Sequence, residues 1–216
     1  MKRFTVMQFA AAIMLLLAST LSWGDTSMLR PPKGAKVAII VFEDLECPQC
    51  ARAAPLLHDA SKKYDIPLIQ HDFPLKQHPW SFEAAVDARY FDTKSAKLGD
   101  DYRLFIFQNQ NFVTKQNLRG MTEKWAEQNG VTLPFVVDPS GTLTAKVEAD
   151  RSMGNQIPLD HTPTIYIVTD FPHGAPVTEL KDISQLYQTL DEITKQAKQS
   201  TPATTAKKST KSSATH

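Results

Sequence analysis

The run KVAIIVFEDL at 36–45 is apolar, rich in β-branched residues and bounded by Gly34 and a turn at Cys47, which predicts a buried strand. Pro48 suits the first turn of a helix, where its missing N–H would have no partner anyway. CARAAPLLHDASKKY then puts Ala53, Leu56, Leu57 and Ala60 on one face of that helix. Pro55 inside it should kink or break it. A second strand is expected in IPLIQHDFPL at 66–75, so strand, helix and strand arrive in the order of a right-handed crossover unit with parallel strands. From Ser81 to Asn155 the periodicity is helical, with breaks expected near Gly99, Asn117 to Gly120, and Asn129 to Gly130. Ala84, Ala85, Ala88, Tyr90, Phe91, Tyr102, Phe105, Ile106 and Trp125 are the core positions of these helices. Strands return in TPTIYIVTD and PVTELK, joined through the proline- and glycine-bearing loop FPHGA at 171–175. A final helix, ISQLYQTLDEITKQ, carries Ile183, Leu186, Leu190 and Ile193 at helical spacing.

Both ends of the chain differ from this pattern. Lys2 and Arg3, an apolar stretch densest from Phe9 to Leu17, and small residues at Ser22 and Gly24 have the layout of a secretory signal peptide cut before Asp25. An uncleaved anchor over Phe4 to Trp23 is the alternative, weakened by Gln8 and the serine and threonine content. Residues 25–35 read as a linker. From Lys195 onward the chain carries lysine, serine, threonine and alanine without acids or large apolar residues, and 197–216 is expected to be a disordered basic tail. The stretch 36–196 between them is the size of one domain. Hydrophobic content of 42% and a net charge of +1 describe an ordinary globule and give no charge argument for nucleic acid.

Two cysteines are too few for a disulfide scaffold, which directs attention to chemistry. Thiolate is the reacting species, and a free cysteine with a pKa of about 8.5 is mostly protonated at neutral pH. A cysteine at the amino end of a helix faces unpaired N–H groups and the positive end of the helix dipole, both of which favour the anion. Cys47 has that position, and Cys50 lies one turn further in on the same side, close enough for a disulfide. Two other uses stay open on the residues alone. A static disulfide would close too short a loop to add much stability. A zinc or copper site in a non-catalytic module could complete the pair with two of His58, His71, His78, His161 and His173, although His71 and His78 are not at the usual histidine spacing.

VFEDLECPQC, FPLKQHPWSFEAAVDARYF and HTPTIYIV together resemble the DsbA-like thiol-disulfide oxidoreductases of the thioredoxin superfamily, in the branch where a helical block interrupts the fold. The resemblance covers nearly all of Lys36 to Gln196. It implies an α/β, thioredoxin-like fold with a helical insertion at about 80–156, and disulfide exchange through the active-site dipeptide Pro48-Gln49 between Cys47 and Cys50. Cys47 would form the mixed disulfide and Cys50 would resolve it. Pro163, after Thr162, would be the cis proline beside the cysteines, offering a backbone edge to an extended substrate. The implied partners are exported proteins with thiols or disulfides and a membrane redox partner that recycles the pair; no cofactor or metal is called for, and a monomer is expected.

Two departures modify the resemblance. Relatives commonly hold a buried acid six residues before the first cysteine, where this chain has Val41, leaving Glu43 and Asp44 as acids that could act through water. The dipeptide carries Gln49 where strongly oxidising relatives have histidine. Glu43, Asp44, Glu46 and His161 are therefore read as modulators, His161 being the histidine expected nearest the sulfurs. Asp44 and Glu46, if they face Cys47, would oppose its thiolate by about 1 to 4 kcal/mol against roughly 0.3 to 2 kcal/mol from the helix end. A couple less oxidising than the strongest oxidases of the family follows.

Overall fold

The computed structural model describes residues 26–157, 159–171 and 176–200, with side chains as far as 197. The expected signal peptide, His173, most of the FPHGA loop and the tail past Ser200 lie outside them. Strand β1 (Val37–Glu43) leads into helix α1 (Pro48–Tyr64) and strand β2 (Leu68–Asp72). Helices α2 (Ser81–Asp92), α3 (Ala96–Asn109), α4 (Leu118–Gln128) and α5 (Thr142–Gln156) follow, with a short 3-10 turn at Gln110–Phe112 after α3. Strands β3 (Thr164–Thr169) and β4 (Val177–Glu179) and helix α6 (Leu186–Ser200) complete the fold. The sheet order is β2-β1-β3-β4, with β2 parallel to β1 and the other two pairings antiparallel. This is the thioredoxin-like arrangement with a helical block inserted between the crossover unit and the last two strands.

Strand alternation divides the core. Val37, Ile39 and Val41 face Leu57 of α1 and Leu186 and Leu190 of α6, while Ala38, Ile40 and Phe42 face Phe73, Ile157 and Leu29 on the other side. Leu29 shows that the expected linker is docked on the sheet. A third apolar cluster, with Phe91, Tyr102 and Trp125, fills the helical block and reaches Cys47 and Cys50. The cysteine pair therefore sits at the seam between the sheet-bearing half and the insertion. Across the same seam, Arg89 of α2 bonds to Asp72 of β2, while within the insertion it also bonds Asp150 of α5 and the fully buried Arg103 forks onto Asp92 at 2.9 and 3.0 Å.

Four expectations are corrected. Helix α1 is not broken at Pro55: it continues through the proline, which lies on the exposed face, where its ring displaces no core side chain. Leu56, read as a core position, lies beside Pro55 on that outer face and is exposed. Gly99 lies inside α3 and the break falls earlier, at 93–95, where Ser95 accepts a capping bond from Leu98 N–H at 3.1 Å. A Cβ at Gly99 would collide with Asp92, so this glycine marks a close approach of α3 to the Asp92–Arg103 pair. Helix α6 continues past the expected start of the tail, because Ala197 still packs on the sheet-side core one turn after Ile193.

Candidate active site

Cys47 is the N-cap of α1, with extended backbone at φ −82° and ψ 122°, and its N–H closes a turn onto the Asp44 carbonyl at 3.0 Å. This places Sγ beside the free N–H groups of the first helical turn. Both cysteines are unbridged and buried, Cys47 5% and Cys50 1% exposed. The Asp44 N–H points to Cys50 Sγ at 3.4 Å.

The two thiols are driven in opposite directions. Cys47 is lowered to about 5, first by a hydrogen bond from the Cys50 thiol, against the opposing effect of burial, and then by Thr162 and the N–H groups of Cys50 and Gln49. Cys50 is raised well above the ordinary thiol value, chiefly because burial penalises its anion. As a thiol, Cys47 donates to the Thr162 carbonyl at 3.2 Å. As a thiolate it needs donors instead, and the Thr162 hydroxyl is buried without another partner and stands ready to supply one. The Thr162–Pro163 peptide is cis.

The acids do not oppose the thiolate in the way their sequence position suggests. Asp44 is buried and accepts from Glu46 N–H, Leu75 N–H, His78 Nδ1 and the Ser81 hydroxyl. Glu46 accepts from Trp80 N–H at 3.0 Å. Both carboxylates are turned toward the 75–81 segment and clasp it to the turn before Cys47. Val41 is sealed in the sheet-side apolar cluster, but Glu43, two residues on and so on the same strand face, is buried and takes a bond from Gln70 Nε2 at 3.1 Å. Burial raises the Glu43 carboxyl to about 8, and it contributes to the upward shift of Cys50.

The described histidines do not converge on the sulfurs. His71 pairs with Asp150, His78 with Asp44 and the half-exposed His161 with its neighbour Asp160, while His58 lies beside Asp100 and Arg103. Among the described residues no three His, Cys, Asp or Glu side chains form a metal-ligating group. His161 instead lines a groove with Gln49, Thr162 and Pro163.

Gln110 was not singled out by the sequence. Its Nε2 donates to the carbonyls of Leu45 at 2.7 Å and Cys47 at 3.0 Å, tying the insertion to both sides of the active-site turn. An amide at the end of a helix more than sixty positions away carries no local signal of this contact. Gln110→Leu and Gln110→Glu, neither of which can donate, are each expected to lose about 1–2 kcal/mol of stability. Urea unfolding checks this, and two variants with wild-type midpoints would show that the tie is not used.

Comparison with known proteins agrees with the fold just described. The thioredoxin family model (Thioredoxin_4) matches residues 25–192. No curated protein matches the sequence. Among solved structures, Wolbachia pipientis alpha-DsbA1 superposes with a TM-score of 0.62 at 16% identity, covering 78% of this chain and 90% of that one. BdbD from Bacillus subtilis, oxidised, gives 0.60 at 18% identity over 78% and 91% of the two chains. The Wolbachia pipientis thiol-disulfide exchange protein alpha-DsbA2 gives 0.60 at 14% identity over 76% and 85%. At these identities the likeness is one of fold.

Proposed function

Because the chain belongs to the thioredoxin family, whose model it matches over residues 25–192, we propose that it is an exported protein thiol-disulfide oxidoreductase acting through Cys47 and Cys50. The observation that carries this reading is the unequal pair at the start of α1: the N-cap sulfur of Cys47 held as a thiolate beside the more deeply buried Cys50 held as a thiol. With the pair oxidised, a substrate thiolate attacks Cys47 Sγ, a substrate–Cys47 bond forms and the Cys47–Cys50 bond breaks. Cys50 leaves and takes a proton, which its raised pKa favours. A second substrate thiolate then attacks the substrate sulfur of the mixed disulfide, releasing Cys47 as a stable thiolate and leaving two electrons on the protein. The reverse sequence reduces a substrate disulfide.

Pro48 and Gln49 form the helix start that holds the thiolate, and Thr162 and Pro163 form the edge that the substrate meets. Glu43, neutral up to about pH 8 and buried near Cys50, is the carboxyl suited to handle its proton. The charged start and apolar stretch before Asp25 support export. Substrates are then exported proteins with thiols or disulfides, recycled against a membrane redox partner. The structural likeness to a named thiol-disulfide exchange protein supports the same chemistry.

The test is substrate trapping. Cys50→Ala removes the resolving sulfur, so covalent adducts on Cys47 are expected to accumulate and to be released by dithiothreitol. Metal-free wild type should also catalyse insulin reduction. Absence of dithiothreitol-sensitive adducts together with no catalysis would refute the reading.

A further inference from the structure

Beside the cis proline, on the side away from the helical insertion, lies a groove of about 340 Å³. Ile165 and Leu180 form a buried apolar floor. Its rim carries Gln49, Arg52, His161 and Lys181, and no carboxylate lines it. The groove adjoins the reacting sulfur, since two residues that line it contact Cys47 Sγ, Gln49 Oε1 at 3.7 Å and the Thr162 carbonyl at 3.2 Å. A segment of substrate chain that flanks the cysteine bonded to Cys47 is within reach of it.

The basic side chains of the rim are not equivalent. Lys181 is engaged by Glu179 and His161 by Asp160, neither of which lines the groove. Arg52 is exposed and forms no ion pair among the described residues. It follows Gln49 by three positions on α1 and so stands over the same face, one turn from the sulfur. A guanidinium without a partner, at the mouth of a groove free of acids and near the positive end of a helix, is complementary to a carboxylate.

We propose that Arg52, on the rim of the groove where a substrate's chain flanks its reacting cysteine, selects segments carrying aspartate or glutamate close to that cysteine. The proposal rests on the exchange activity argued above and adds the class of substrate.

Two synthetic peptides with one cysteine and one leucine, differing only in Asp or Lys beside them, test it as reductants of the oxidised full chain. Rates are read by thiol labelling for wild type and Arg52→Glu. The Asp-to-Lys rate ratio of wild type, divided by that of the variant, cancels both the intrinsic thiol reactivity of each peptide and any change in Cys47 itself. The double ratio should be about ten-fold at low salt and shrink toward one at high salt. A double ratio near one at low salt, while the wild-type disulfide still reacts with dithiothreitol, overturns the selectivity and leaves the exchange activity standing. A wild-type disulfide that is inert to dithiothreitol overturns the exchange activity and this proposal with it.

Discussion

Replacement of Cys47 by serine is expected to lower disulfide exchange by about 10³-fold or more, because the residue supplies the sulfur through which every covalent step passes. The same variant separates the two thiols. Iodoacetamide should alkylate the reduced wild-type protein with a half-maximal rate near pH 5, the value to which Cys47 is lowered. In Cys47→Ser that wave should vanish, leaving a thiol that reacts only at strongly alkaline pH, since Cys50 is raised. The sign for stability follows from linkage. Cys47 titrates lower in the folded reduced protein than in the unfolded chain, so between those values the unfolded state binds more protons. The Cys47 contribution to the reduced form sets in as pH rises above about 5, is complete above the unfolded value, and is lost as pH falls through 5. The disulfide form has no such contribution. The pH-dependent part of the difference in unfolding midpoint between reduced and oxidised proteins should therefore grow from about pH 5 up to the ordinary thiol value of about 8.5, and shrink again beyond it, where the unfolded chain ionises Cys50 and the folded one does not. An alkylation midpoint at an ordinary thiol pKa would rule out the assignment.

The same quantity bears on the direction of electron flow. A thiolate stabilised in the reduced form makes the disulfide a better oxidant. Cys47 at about 5 lies between the values of about 7 for thioredoxin and about 3.5 for DsbA. The couple is expected between their potentials of about −270 and about −120 mV, as equilibration with glutathione would measure. The expectation of a couple milder than the strongest oxidases is thus retained for a different reason. It no longer depends on Asp44 and Glu46 facing the sulfur, which they do not do.

What the sequence made legible was set by local rules. The β-branched run gave β1, and Pro48 after Cys47 gave the helix start on which the thiolate argument rests. The parallel crossover and the strand pair before the last helix followed from element order. The errors arose where a local rule met tertiary context. Pro55 is accommodated inside the helix because it stands on the outer face, where its ring displaces no core side chain. Gly99 has the look of a helix stop, yet it is required by the approach of Asp92. Ala197 has no helix-ending neighbour and a core to pack on. Within the site, the positions of Cys47, Cys50 and Pro163 were readable from short motifs. The aim of each carboxylate was not, since it depends on donors more than thirty residues away. Gln110 and Arg52 were invisible for the same reason, each acquiring its meaning from a surface assembled by the whole chain.

Asp44→Ala is expected to be the most destabilising single change near the site. The carboxylate is 1% exposed and is met by two backbone N–H groups, an imidazole and a hydroxyl. With the carboxylate accepting from His78, the ring proton sits on Nδ1. Alanine leaves these donors facing a cavity, and a buried donor without an acceptor costs about 1–3 kcal/mol. Because neighbouring losses are not additive and His78 is partly exposed, the net loss should be about 3–5 kcal/mol. In urea that is a fall in midpoint of about 2 M with the slope unchanged. Asp44→Asn keeps the volume and one acceptor oxygen but turns an amide N–H₂ toward other donors, so it should fall between the two. The loss also reaches the chemistry, since Asp44 spans the turn whose last residue is Cys47 and its own carbonyl holds the Cys47 N–H. Loosening the 75–81 segment should therefore move the Cys47 alkylation midpoint upward in the fraction that remains folded. A wild-type urea midpoint in Asp44→Ala would mean that this carboxylate does not hold the segment. An unchanged alkylation midpoint beside a large stability loss would confine its role to the fold.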